Sequence, residues 1–266
     1  MSKICNYMDI SKSWYYEMKA SAEQRREYEA WLLAEIKRIR AAHPAYGILR
    51  LWKQLERDGI KIGRDRLERF LQKHDLLLSR HIKKVRTTFP GAYEGEYQNK
   101  LKGMTVDHPN QVWCTDITYI HTTEGLLYLS AIMDVYSRKI VSISINDNLR
   151  TDGSLDCLNQ ALAQVSDPTG ITHHSDHGCQ YCSYRYLERL SQNGMEVSFT
   201  GKDHCYDNAK IERFFKTIKY EYGLKSVLKS KKLAKSLIKS AIYDYNHNRI
   251  HSSLSYMTPC EIYDAA

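Results

Sequence analysis

The chain carries two rhythms of hydrophobic positions. Up to about residue 78 apolar residues return every three or four places, the period of a helix with one buried face; beyond about residue 110 the pattern changes, residues 111–122 alternate as a strand does, and two further strand-like runs follow. "SAEQRREYEAWLLAEIKRIRA" (21–41) lines up Tyr28, Leu32, Ile36 and Ile39, with Ser21 as the expected N-cap and His43-Pro44 as the stop. "AYGILRLWKQLERDG" (45–59) repeats the pattern with Ile48, Leu51, Trp52 and Leu55, closed by Gly59. After the turn "IKIG", "RDRLERFLQKHDLL" (64–77) buries Leu67, Phe70 and Leu71 and leaves Arg64, Arg66, Arg69 and Lys73 largely free. A helix, a short glycine-containing turn and a second helix with a basic outer face outline a helix-turn-helix over about 43–78.

Residues 79–107 lose periodicity and carry Gly, Pro and a basic run, which reads as a linker able to touch a phosphate backbone. Strands are expected at 111–122, 126–137 and 139–147, then a helix at 154–165, a strand at 171–178, a helix at 184–194 and a strand at 195–200. Two long helices follow, from about Asp207 to Tyr222 and from about Leu228 to Asn248. Three sequential strands followed by alternating helix and strand predict an α/β core, a mixed five-stranded sheet flanked by helices. The expected organisation is a helical region at 1–78, a linker at 79–107, and a core at 108–266 with a helical extension at its C-terminal end.

Composition narrows the class. With 266 residues, 42% hydrophobic and 26% charged, the chain can bury a sizeable core. No apolar run approaches membrane-spanning length and "MSKICNYMDI" has no signal-peptide core, so a soluble, cytoplasmic protein with no membrane partner is expected. Seven scattered cysteines do not form a disulfide framework. The net charge of +8 lies wholly in residues 1–100, which hold 21 Lys and Arg against 13 Asp and Glu; the remainder balances at 18 against 18. That asymmetry points to an anionic partner for the N-terminal part, with nucleic acid first.

Three carboxylates stand out against their surroundings. Asp116 falls inside the first strand among Val, Ile, Tyr and Trp, Asp176 at the end of the fourth in "HHSDHGCQY", and Glu212 on the helix after the fifth, beside the apolar stripe of "IERFFKTIKY". A buried carboxylate is costly unless paired or bound to metal. Three of them from separate elements suit a hard cation such as Mg²⁺, with Mn²⁺ as substitute, and two such ions about 4 Å apart promote phosphodiester chemistry.

Asp116, Asp176 and Glu212, with 35 residues between the last two, resemble the DDE triad of the transposase and retroviral-integrase superfamily, whose core is RNase H-like. "WCTDITYI", "HSDHGCQY", "DNAKIERFFKTIKYE" and "YNHNRIHSSLSYMTPCEIY" are similar to the OrfB product of bacterial insertion sequences of the IS-three family, and "HPAYGILRLWKQL" to the helix-turn-helix preceding that core. The resemblance covers about residues 40–262. It implies metal-dependent cleavage at the element's 3′ ends and strand transfer, with two ions when DNA is bound. Lys219 resembles the family's basic residue near the scissile phosphate, and Lys202 and Arg213 are further candidates for DNA contact. Terminal inverted repeats, target DNA, a second copy and the product of a preceding reading frame are the implied partners, with the protein nucleoid-associated in a bacterium. A nuclease of the same fold and a non-catalytic DNA-binding regulator are the alternatives.

Several residues keep two readings. Asn208 is a helix cap or a substrate contact; His174 and His177 make local hydrogen bonds or hold a phosphate. Cys179 and Cys182 form one CxxC, which invites zinc but lacks a second pair. The segment 225–239 has six lysines and no acid, a solvated face or a track for phosphates. Arg249 and His251 are structural or contact DNA.

Overall fold

The computed structural model describes residues 11–78, 99–201 and 208–266. The chain divides into two compact units, Met1–Ser79 and Arg80–Ala266. Lys202, Asp203 and Asp207 lie outside the described residues, as does 79–98 of the expected linker.

The first unit holds α1 (Lys12–Ala42), α2 (Ile48–Arg57) and α3 (Arg64–Lys73). Its core is drawn from the expected set, with Leu32, Ile36, Ile39, Leu51, Leu55, Leu67, Phe70 and Leu71 buried and Tyr46 added, while Tyr28, Ile48 and Trp52 of that set are only half-buried. Gly59, at φ +81°, ends α2 in a Schellman turn: the N–H of Ile60 reaches the carbonyl of Leu55 and that of Gly59 the carbonyl of Glu56. This reversal brings α3 back against α2. One expectation fails. Ser21 does not cap α1; Ser11 does, its hydroxyl accepting the N–H of Trp14 at 3.1 Å. The first half of α1 buries almost nothing, so it shows no stripe from which its start can be read.

The outward basic residues of α3 are exposed but not free. Arg64 pairs with Asp65 at 2.8 Å and Lys73 with Glu29 of α1 at 2.7 Å; Arg66 lies over the Tyr28 ring, and Arg69 donates to the Asp65 carbonyl.

The second unit is built on a five-stranded sheet in the order β3-β2-β1-β4-β5. β1 (Val112–Thr122), β2 (Gly125–Asp134) and β3 (Ile140–Asn146) form an antiparallel meander, while β4 (Thr172–Ser175) and β5 (Glu196–Phe199) run parallel to β1. Alternation along the strands feeds two cores. Val112, Cys114, Ala131 and Met133 pack with Ile211, Phe214, Phe215 and Ile218 of α6 (Ala209–Glu221) and with Ala234, Ile238 and Ala241 of α7 (Lys231–His247). Trp113, Ile132 and Val141 pack with Cys157, Leu158 and Ala161 of α4 (Thr151–Leu162) and with Tyr186 and Leu190 of α5 (Tyr184–Gln192). The mixed sheet expected from the hydrophobic pattern is the one formed. Leu101 and Val106, inside the segment read as linker, pack against the first of these cores.

Boundaries shift where tertiary contacts intervene. β4 is four residues long, so Asp176 is the first residue beyond it. α7 begins at Lys231 rather than Leu228, because Leu228 pairs with Thr122 as an extended bridge and the Ser230 hydroxyl then caps the helix. The chain ends in a short helix, α8 (Pro259–Asp264), opened by a capping box between Thr258 and Glu261.

Candidate active site

The parallel register of β1 and β4 sets Val112 beside Thr172, Trp113 beside His173 and Cys114 beside His174. Carried two residues further, the same offset brings Asp116 next to Asp176, where β4 has just left the sheet. Asp116 lies in mid-strand, and its Oδ1 accepts the N–H of Ile117 at 2.7 Å. Asp176 is exposed and accepts the N–H of Gly178 at 3.0 Å. Glu212 sits in the first turn of α6, half-buried at the edge of the stripe that Ile211, Phe214, Phe215 and Ile218 sink into the core.

Asp116 feels the other two carboxylates. Burial first, then the negative charge of Asp176, and to a smaller degree that of Glu212, push the Asp116 carboxyl up to about 7, while Lys219 draws it back. Among the described residues no three His, Cys, Asp or Glu side chains stand close enough together to hold a metal ion as they are. Asp116 lies within electrostatic reach of Asp176 and Glu212, with no closed ligand set among the described residues.

Residues 106–205 and 193–259 match the family described as Integrase core domain, and residues 27–84 the HTH-like domain. The chain is 36% identical over 262 residues to the uncharacterized 31 kDa protein of insertion element IS600 from Shigella sonnei, with 96% of each covered. It is 32% identical over 250 residues to the transposase for insertion sequence element IS904 from Lactococcus lactis, covering 88% of this chain and 94% of that one. It belongs to the insertion-sequence transposases with an integrase core. The transposase is of the DDE polynucleotidyl transferase type, and its sheet is the RNase H-like one implied by its motifs. A solved intasome of simian T-cell lymphotropic virus, in complex with the PP2A regulatory subunit B56 gamma, shares the fold at a TM-score of 0.50 and 16% identity, over 86% of this chain and 74% of that one.

Lys219, two turns along α6 from Glu212, is half-buried and sets its Nζ 5.1 Å from the centre of the Tyr119 ring. Burial lowers its pKa and Asp116 raises it, the reciprocal of the pull on Asp116. Tyr119, half exposed on β1 and edge-on to His121, was legible in the sequence only as a strand residue. Arg213 is exposed on the same helix. Arg64, Arg66, Arg69 and Lys73 belong to the other unit.

The remaining candidates make local contacts. His174 Nδ1 hydrogen-bonds the Ser198 hydroxyl at 2.9 Å, and His177 Nε2 donates to the Thr200 carbonyl at 2.9 Å while its ring stacks on Phe199. Cys179 and Cys182 are free thiols. Trp113 is buried, its indole N–H on Asn110 Oδ1. In the lysine-rich segment, Lys231 and Lys235 share Asp147, an acid the segment itself lacks. Arg249 is buried and paired with Glu221. No helix among the described residues is long and apolar enough to cross a membrane.

Proposed function

We propose that Asp116, Asp176 and Glu212 are the catalytic carboxylates of this transposase, and that it cuts DNA at the 3′ ends of its element and joins the freed ends to another phosphodiester. The observation that carries this reading is the β1–β4 register, which runs Asp116 towards Asp176, in a place where burial first, and then the charges of Asp176 and Glu212, raise the Asp116 carboxyl to about 7. A donor set made only of carboxylate oxygens, short of positive charge, fits a hard divalent cation. Mg²⁺, or Mn²⁺ in its place, with two ions when DNA is bound, would be held by Asp116 and Asp176 jointly and by Glu212 on one side. When bound, the cations supply Lewis-acid stabilisation and a more acidic water or hydroxyl.

In the first step water adds to phosphorus and the bond to the 3′ oxygen breaks, leaving a 3′-hydroxyl. In the second, that hydroxyl oxygen attacks another phosphorus and displaces its 3′ oxygen. Lys219, steadied by the Tyr119 ring, holds a phosphate oxygen beside the reacting bond, and Arg213 and Lys202 hold flanking phosphates. Arg64, Arg66, Arg69 and Lys73 grip the terminal inverted repeat, chiefly through its backbone. Both ends of an element must be held at once, so at least two copies assemble on DNA, with the product of a preceding reading frame as a further partner.

The test is strand cleavage and joining on DNA carrying the element's own ends, with Mg²⁺ or Mn²⁺, comparing wild type with Asp176→Asn. Activity confined to the wild type supports the reading. Cleavage without joining would make the protein a nuclease, and DNA binding with no chemistry in either protein would make it a regulator.

A further inference from the structure

Asn208 stands immediately before α6 and is 5% exposed. Asparagine there ordinarily turns its side chain onto the free N–H groups of the first turn. Asn208 makes no such bond. Its Nδ2 instead donates to the main-chain carbonyl of Thr115, at 3.0 Å, one residue before Asp116. Its own main-chain carbonyl accepts the N–H of Glu212 at 3.2 Å. One residue thus fastens the strand at Asp116 to the helix at Glu212.

A carbonyl can only accept, so the Thr115 contact identifies the amide nitrogen and leaves Oδ1 on the other side. That Oδ1 is buried and has no hydrogen-bond partner among the described residues. Native folds seldom leave a buried acceptor empty without a bound group to fill it. Charge decides what kind of acceptor this place tolerates. A fourth carboxylate would add to the repulsion already acting on Asp116, whereas an amide oxygen accepts a hydrogen bond and brings no net charge.

We infer that Asn208 is a further residue of the reaction site, its Oδ1 accepting a hydrogen bond from an O–H group bound beside Asp116. Two sources share that chemistry: water carried by a divalent cation, which Mg²⁺ keeps readily, and the 3′-hydroxyl of a DNA end. The inference rests on the triad reading above.

The full chain is compared as wild type, Asn208→Ala, Asn208→Ser and Asp176→Asn. Asn208 makes no capping bond, so serine, which is well accepted before a helix, leaves the start of α6 in place while removing the amide oxygen together with the Nδ2 contact to Thr115. Mn²⁺ binding is followed by the loss of the free-ion paramagnetic resonance signal. Binding to DNA ends with a 3′-hydroxyl or a 3′-deoxy terminus is measured separately, and melting reports the fold. Mn²⁺ binding weakened about 10- to 100-fold in the Asn208 variants, the usual effect of losing a partner to a bound ligand, assigns Oδ1 to cation-bound water. Unchanged Mn²⁺ binding with loss of the preference for the 3′-hydroxyl assigns it to DNA. Variants that melt lower but match wild type in both measurements overturn the inference and leave Asn208 as a strap between β1 and α6. If wild type and Asp176→Asn bind Mn²⁺ alike, the triad reading itself fails, and the inference falls with it.

Discussion

Arg249 grips Glu221 at two points, Nε to Oε2 at 2.9 Å and Nη2 to Oε1 at 3.0 Å, with its guanidinium 3% exposed. The pair ties the segment after α7 to the last turn of α6, the helix that also carries Glu212 and Lys219. Neither sequence neighbourhood announces it, since the partners are 28 residues apart. Removing one member strands the other charge, so Arg249→Ala should destabilise the catalytic unit by about 3–5 kcal/mol. Arg249→Lys keeps the charge but loses the two-point fit, and should fall between Ala and wild type. Urea unfolding followed by the fluorescence of buried Trp113 measures both. A loss well under 1 kcal/mol for Arg249→Ala would show that the pair does not hold α6.

On the proposed reading, Asp116 serves chemistry at the expense of stability. Burial and two neighbouring carboxylates raise its carboxyl to about 7. Asp116→Asn should therefore be more stable than wild type in chelator at about pH 8, by on the order of 1 kcal/mol or more, and melt higher, while cleavage disappears. A lower melting point in chelator would mean that the negative charge contributes to the fold rather than straining it.

His173 makes the fold acid-sensitive. Its imidazole is buried, with Nε2 and the Tyr186 hydroxyl 2.9 Å apart, and burial pushes its pKa from 6.5 down to about 3. Below 6.5 the unfolded chain takes up a proton that the folded one refuses, so stability falls as pH drops from 6.5 towards 3; above 6.5 the group contributes no pH dependence. Between about pH 7.5 and pH 5 this should remove about 2 kcal/mol from wild type, and His173→Gln should lose that much less over the same interval. Urea titrations at the two pH values decide it, and parallel losses in both proteins would sink the idea.

DNA binding should separate the two groups of cations. Lys219→Ala should lower the slope of log affinity against log salt by about 1, the mark of one lost phosphate contact. Lys73 lies 2.7 Å from Glu29, so Glu29→Gln should tighten binding by releasing it, and Lys73→Ala should loosen binding. Fluorescence anisotropy across a salt series reads both effects. An unchanged slope for Lys219→Ala would remove that residue from the interface.

How far the sequence reaches can be seen in single residues. The stripe Leu32, Ile36, Ile39 gives the helix directly, because burial on one face imposes a period, whereas Val112 and Trp113, neighbours buried in two different cores, mark a strand by their apolar, β-forming character. Ser11 as the true start of α1 was not legible, since the residues after it bury nothing and so carry no period. Asp116 and Glu212 were legible as charges in apolar company. The hydrogen bonds through which Asn208 joins their neighbourhoods were not, because an asparagine before a helix looks the same whether it caps or reaches across to a strand.

By itself the sequence determined the order and type of the main elements, the basic character of the N-terminal part and which three carboxylates stand out as candidates. Each of these depends on residue chemistry and short-range spacing. Only the tertiary structure decided the β1–β4 register beside Asp176, the mutual pull of Asp116 and Lys219, the clasp of Arg249 on Glu221 and the empty Oδ1 of Asn208. Those depend on which distant groups packing presses together, and burial then sets how strongly each charge or unfilled acceptor is felt.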